Sequence, residues 1–261
     1  MRAGAAWQQC AAAVMRILRP EAFLVRPAAV LFDLDHTLYE YERPHAEGMV
    51  AARAKVGRAL NVAGPAFDAA FDAARRGVKA RLGAVASSHS RLLYFAATME
   101  GLGFGAQALL ALDLEQTYWR SFLGAARLAE GAEDLLIELR AMGVKLGLVT
   151  DLTAQIQFRK LVYFGLDRYF DAVVTSEEAG VEKSGGVPFE MVVGKLGLGA
   201  GAVVWMVGDS DADIAGAKRA MGAVTVQKVW GVGRGGVYGE ADAVVREFSE
   251  LLEMVRGLAV R

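Results

Sequence analysis

An α/β fold, a parallel sheet core with an all-helical insert, is what this sequence predicts, and three observations predict it. Short β-branched runs alternate with helical segments along most of the chain. Each run is apolar nearly throughout, as strands covered on both faces must be. One stretch breaks the alternation, with helical periodicity and no strand-like run. With 261 residues and 54% hydrophobic content the chain can bury a core large enough for one main domain and an insert.

In chain order, residues 1–27 are expected to form an N-terminal helical extension. The start MRAGAAWQQCAAAVMRIL is weakly basic and alanine-rich, which invites a signal-peptide reading, but Gln8, Gln9 and Arg16 interrupt the apolar region and an amphipathic helix fits better. The core domain is expected over 28–41 and 124–261, with strands in AAVLFDL, VKLGLVT, DAVVT, AVVWMVG and AVTVQKV. Helices such as AEDLLIELRAMG and VPFEMVVGKLG connect them. Right-handed crossovers through these helices would bring every strand's carboxyl end to one edge. The insert, 42–123, reads as four helices: AEGMVAARAKVGRAL, AFDAAFDAARRGVKARL, SRLLYFAATMEGLG and ALLALDLEQTYWRSFL. Asn61 to Pro65 and Gly101 to Gly105 are the expected breaks.

Composition narrows the function classes. Twenty-nine basic residues balance thirty acidic ones without a block of like charge, so the electrostatic footprint of a nucleic-acid binder is missing. No apolar run reaches the roughly 18 residues that span a bilayer. Cys10 is the single cysteine, which excludes an internal disulfide and a cysteine-based metal cluster. A cytoplasmic protein with a small-molecule partner, bound to neither nucleic acid nor membrane, is expected; oligomeric state is not legible.

Polar residues gather where strands end. The first core strand ends in Asp33-Leu-Asp35-His-Thr37, the second in Thr150-Asp151, and the fourth in Gly208-Asp209-Ser-Asp-Ala-Asp213, while Lys183 follows the third. Carboxylates, a hydroxyl and an ammonium on one edge suit a divalent cation and a phosphoryl group, and magnesium commonly binds through a few carboxylates, phosphate and water.

In this order, Asp33-x-Asp35-x-Thr37, Thr150, Lys183 and Gly208-Asp209-x-x-x-Asp213 resemble the four motifs of the haloacid dehalogenase superfamily. The resemblance runs from about residue 28 to the carboxyl end, and the segment from Thr150 to Lys183 is similar to the phosphatase-like members. It implies a Rossmann-like core, a type 1 helical cap, Mg2+ and an aspartyl-phosphate intermediate. Asp33 would be the nucleophile and Asp35 the general acid and base. Asp33, the Asp35 backbone carbonyl, Asp209 and Asp213 would hold the metal. Thr150 and Lys183 would bind the phosphoryl group. Arg91 and Tyr94, at the start of the third cap helix, are read by their position as contacts for an anionic or sugar substrate, with Arg91 alternatively a solvated helix residue.

The expected activity is thus hydrolysis of a small phosphorylated metabolite. Alternatives on the same fold are a haloacid dehalogenase, which has no need of Asp35, a phosphomutase, and a non-catalytic binding protein. Two departures from the family pattern stand out. Asp151 replaces the common asparagine and is expected to add charge near the phosphate or to cap the next helix. Ser184-Gly-Gly replaces the common prolines after Lys183 and is expected to loosen that loop. Glu177 and Glu178 are read as partners of Lys183 or as solvated, Asp211 as a turn residue, and His36 as pointing away from the metal. Tyr39, Glu40, Tyr41, Arg43 and His45 are read as lining the entrance, Phe95 as core, Tyr94 as core or a substrate contact, and the TYWRSF stretch as packing.

Overall fold

The computed structural model describes residues 15–230 and 236–259. Its strands are β1 (Arg16–Ile17), β2 (Ala29–Phe32), β3 (Lys145–Thr150), β4 (Ala172–Thr175), β5 (Val204–Gly208), β6 (Val224–Lys228) and β7 (Ala243–Val245). They form one sheet in the order β1-β7-β6-β5-β2-β3-β4, parallel except where β1 meets β7. The helices are α1 (Glu42–Leu60), α2 (Gly64–Leu82), α3 (Arg91–Gly101), α4 (Ala108–Ala125), α5 (Ala132–Ala141), α6 (Ala154–Phe164), α7 (Ser176–Ala179), α8 (Val187–Lys195), α9 (Asp211–Met221) and α10 (Phe248–Ala259).

All four residues of β2 are buried, which requires both faces of the sheet to be covered. On one face Leu135, Leu136 and Leu139 of α5 pack with Leu251, Leu252 and Val255 of α10. On the other, Phe189 and Val192 of α8 join Ala217 of α9. β2 lies between β3 and β5, with Phe32 level with Leu148 on one side and Val207 on the other. The chain therefore reverses its direction of sheet growth at β2, the point where the carboxyl ends of strands leave a crevice.

Four helices and no strand occupy residues 42–125. α1 packs along α4, and α2 along α3. Tyr118, Trp119 and Phe122 of α4 are buried with Phe67, Phe71 and Phe95, so the TYWRSF stretch is packing, as read. A Cβ at Gly48 would sit 2.7 Å from the Tyr118 ring, so this helix contact needs glycine for close approach. Asn61 ends α1 in the left-handed region, and the insert returns beside its exit, where the Ala129 amide donates to the Leu38 carbonyl at 2.8 Å.

Two expectations change. Most of the proposed N-terminal helix lies outside the described residues; what is described at its end is an edge strand, Arg16–Ile17, followed by a one-turn 3-10 helix at Pro20–Phe23. Two backbone amides, of Leu18 and Arg19, donate to the Asp242 carbonyl, and this edge pairing selects extended chain over helix there. The strand β7 was not expected, since three apolar residues are too short a run to read. No described helix is long and apolar enough to cross a membrane.

Gly48→Ala is expected to destabilise the protein by about 1–3 kcal/mol, as overpacking of a filled site does, measured as a lower denaturant midpoint. An unchanged midpoint would show that the α1 to α4 contact yields without cost.

Candidate active site

The three strand ends meet at the crevice. Asp33 directly follows β2, and its amide extends the sheet ladder by donating to the Val207 carbonyl at 3.0 Å. Its side chain, 5% exposed, accepts from Lys183 Nζ at 2.6 Å and from Thr37 Oγ1 at 3.1 Å. Lys183 donates a second bond, also 2.6 Å, to Asp213, which is fully buried. Asp213 in turn accepts from the Ser210 amide at 3.0 Å and hydroxyl at 2.6 Å, and its own amide donates to Ser210 Oγ at 3.3 Å, completing a capping box at the start of α9. Packing under this turn is tight: a Cβ at Gly208 would lie 2.4 Å from Asp213.

Carboxylate oxygens of Asp33, Asp209 and Asp213 all lie within 4.8 Å of one another. Burial and the neighbouring Asp213 push Asp209 up to about 6. Asp33 is raised well above the ordinary aspartate range by burial, against the pull of Lys183 and with Asp213 and Asp209 adding repulsion. Lys183 is itself raised well above the ordinary lysine range: Asp213 and Asp33 overcome the cost of its burial. Hard oxygen donors under mutual repulsion are a donor set that a divalent cation fits.

Asp35 stands apart from this group. Its carboxylate accepts from Lys160 Nζ at 2.6 and 2.8 Å, from Gln157 Nε2 at 3.3 Å and from the Tyr39 hydroxyl. Burial raises its pKa, but Lys160 chiefly, then Tyr39 and Gln157, outweigh burial and hold it below the ordinary aspartate range. Lys160 is 1% exposed and its ammonium faces the rings of Tyr39, Trp119 and Phe122. Gln157 also donates to Thr150 Oγ1 at 2.6 Å, linking the first two strand ends. Neither Lys160 nor Gln157 was singled out from sequence.

Asp151 does not cap α6. It accepts from the Lys183 amide at 3.1 Å, so the residue that departs from the family pattern holds the loop carrying Lys183. Glu177 takes the capping role, accepting from the Ala154 amide at 2.8 Å, and Glu178 pairs with Lys195 at 2.6 Å; neither meets Lys183. Lys183–Gly185 winds into a 3-10 turn closed by Gly186 at φ 81°.

Asp33, Asp35, Thr150, Asp151, Lys183 and Asp209 line a cavity of about 310 Å³. The insert contributes Arg75, Lys79, His89, Arg91 and Tyr94 to its wall, so Arg91 does face the strand ends. Tyr41 also lines it, accepting from Arg91. Other residues read as the entrance lie elsewhere: Tyr39 is buried and donates to Asp35, Arg43 and Glu40 line a separate cleft, and His45 Nδ1 is hydrogen-bonded to the Tyr118 hydroxyl at 2.7 Å. His36 lines the cavity, and its Nε2 lies 3.2 Å from Glu42.

The model of the haloacid dehalogenase-like hydrolases matches residues 27–220. The chain belongs to that family. It is 39% identical over 199 residues to a ribulose-1,5-bisphosphate 5-phosphatase of Halopiger xanaduensis, covering 76% of this chain and 83% of that protein. To a glyceraldehyde 3-phosphate phosphatase of Methanopyrus kandleri it is 32% identical over 240 residues, covering 88% of this chain and 98% of that one. A crystallised HAD phosphatase from Thermococcus onnurineus superposes with a TM-score of 0.68 at 28% identity, over 88% of this chain and 98% of that chain. The Rossmann-like core of this superfamily is therefore the fold of this hydrolase.

Truncating one member of a buried ion pair leaves the other charge uncompensated. In a cycle of Lys160→Met, Asp35→Asn and the double variant, a coupling of at least about 1 kcal/mol is expected from chemical denaturation. Additive losses would reduce Lys160 to a bystander.

Proposed function

We propose that the protein is a Mg2+-dependent phosphomonoesterase that hydrolyses a small phosphorylated metabolite through an aspartyl-phosphate on Asp33. The observation that carries this reading is the Lys183 ammonium bridging Asp33 and Asp213, with Asp209 beside them at the floor of a ligand-sized cavity. Relatives that are phosphatases of small phosphorylated compounds support it.

Asp33 has few directions open to it. Lys183 and Thr37 fix its carboxylate, so it meets an incoming phosphorus pre-oriented and with little rotational freedom left to lose. Thr150, buried at the end of β3, lines the cavity, and its hydroxyl, which accepts from Gln157, would donate to a phosphoryl oxygen. Lys183 offsets the charge that gathers on the phosphoryl group during transfer. Asp33, Asp209 and Asp213, with the Asp35 backbone carbonyl, would hold Mg2+, which when bound screens phosphate from the carboxylates and draws charge from its oxygens.

Asp35 manages protons. On Lys160, Tyr39 and Gln157 it rests as a carboxylate, the form required to take a proton from the water that cleaves the aspartyl-phosphate. In the first step it must instead give a proton to the leaving oxygen. Water excluded by the bound substrate and the nearby phosphate both favour a protonated Asp35, working against Lys160. A halide-displacing enzyme has no use for this second carboxylate.

Cleavage of para-nitrophenyl phosphate with Mg2+, stopped by EDTA, is the expected result; turnover unchanged after metal removal would contradict the metal assignment. Asp33→Asn is expected to abolish turnover while keeping the fold. Asp35→Asn is expected to slow hydrolysis of the phosphoenzyme by about 10²- to 10⁴-fold on every substrate, and to slow its formation most for alkyl phosphates, whose alkoxides leave poorly. Rapid-quench kinetics separates the two steps; wild-type rates for both would remove Asp35 from proton transfer.

A further inference from the structure

The wall of the cavity is divided by charge. Its acids, Asp33, Asp35, Asp151 and Asp209, all come from the sheet core, whereas the charged side chains supplied by the insert, Arg75, Lys79 and Arg91, are all cations. The core's acids have partners of their own: Asp33 pairs with Lys183 and Asp35 with Lys160, Asp151 accepts from the Lys183 amide, and Asp209, which accepts from Thr37 at 3.4 Å, belongs to the carboxylate group that a cation fits. Arg75, Lys79 and Arg91 form no ion pair with a carboxylate among the described residues. Glu182, the acid whose field Lys79 feels, is already engaged with His89 at 2.8 Å.

Arg91 is held in place rather than neutralised. It is 9% exposed, donates to the His89 carbonyl at 3.0 Å and to the Tyr41 hydroxyl, and lies 5.3 and 5.4 Å from the Tyr94 and Tyr118 ring centres. Its Nε is buried without a partner. Arg75 and Lys79 stand one turn apart on α2, on a common helix face, with Arg75 beside the Tyr94 hydroxyl. Burial, and after it repulsion from Arg75, lowers the pKa of Lys79, as expected of a cation among cations.

Arg91 is buried, Lys79 half-buried and Arg75 exposed on the same cavity wall, so three like charges gather where a bound anion would relieve their repulsion. The phosphoryl group that reacts belongs with Asp33, Lys183 and the metal, on the core side of the cavity, whereas these cations line it from the insert. The geometry points to a second anion subsite formed by Arg75, Lys79 and Arg91, which takes the far end of the substrate, so that the preferred substrate is a small phosphomonoester carrying a second phosphate or a carboxylate. This rests on the phosphomonoesterase reading and narrows its substrate class. A phosphorylated aldehyde or alcohol with an uncharged far end would leave these cations unpaired.

The test uses matched pairs with the Mg2+-loaded enzyme: a pentulose 1,5-bisphosphate against the pentulose 5-phosphate, and 3-phosphoglycerate against glyceraldehyde 3-phosphate. In at least one pair kcat/KM is expected to be about tenfold or more higher for the two-anion compound, and the pair concerned tells phosphate from carboxylate. Hydrogen bonds to charged groups are worth about 1.5–3 kcal/mol, so Arg75→Gln with Lys79→Gln is expected to lower that ratio by about 10- to 100-fold, chiefly through KM. Lys79→Arg, which keeps the charge, is expected to retain most of it. A ratio near one in both pairs, or one that the double variant leaves unchanged, would overturn the subsite while leaving the phosphatase reading intact. If no compound is hydrolysed, the phosphatase reading fails. Calorimetry with the bisphosphate and the monophosphate then still decides: tighter bisphosphate binding that depends on Arg75 and Lys79 upholds the subsite, and equal binding overturns it.

Discussion

One ammonium holds the site together. Lys183 reaches from the loop after β4 to Asp33 after β2 and to Asp213 in α9, at 2.6 Å each, with its own side chain 5% exposed. Three carboxylates closing on one point would otherwise repel one another in a place where water cannot screen them. The pair is a poor source of net stability, because desolvating both partners costs about what their attraction returns. Its value lies in orientation, since it fixes a nucleophile at the one edge where the sheet leaves a crevice. Much nearby structure serves this contact: Asp151 holds the Lys183 amide, Ser210 fixes Asp213, and glycine at 208 lets Asp213 pack close.

A second buried cation does a different job. Lys160 is surrounded by Tyr39, Trp119 and Phe122, so its charge acts on Asp35 with little competition from solvent. Trp119 and Phe122 belong to the helical insert, whereas Asp35 and Lys160 belong to the core. The electrostatics of the proposed proton-transfer group therefore depends on how the insert packs against the core. That dependence gives the insert an influence on chemistry as well as on substrate choice.

Much of this was legible in sequence because its causes are local. Continuous apolar runs revealed β2 to β6, and the order of polar residues at their ends placed Asp33, Thr150, Lys183 and Asp209 on one edge. Lys160 was not legible, and α6 shows why. There Gln157 and Lys160 are buried, while Phe158, Val162 and Tyr163 are 50%, 66% and 46% exposed. Hydrophobic periodicity assigns the inward face to apolar residues, as at Ile156 and Leu161, but the half-buried Asp35 carboxylate draws Gln157 and Lys160 inward beside them. Arg75 and Lys79 escaped notice for a related reason: on an amphipathic helix, basic residues one turn apart read as a solvated face until the tertiary structure turns them toward a cleft. Asp151 was visible as a departure from the family pattern, but its bond to Lys183 spans 32 positions in the chain and follows only from strand order.

Beryllium fluoride, which mimics a phosphoryl group bonded to a carboxylate, tests the central role of Asp33 most directly. A crystal structure of the Mg2+-loaded protein with beryllium fluoride is expected to show beryllium bonded to an Asp33 carboxylate oxygen, with Lys183 and Thr150 contacting its fluorides. Beryllium coordinated to another residue, or Asp33 still held only by Lys183 and Thr37 at saturating fluoride, would contradict it.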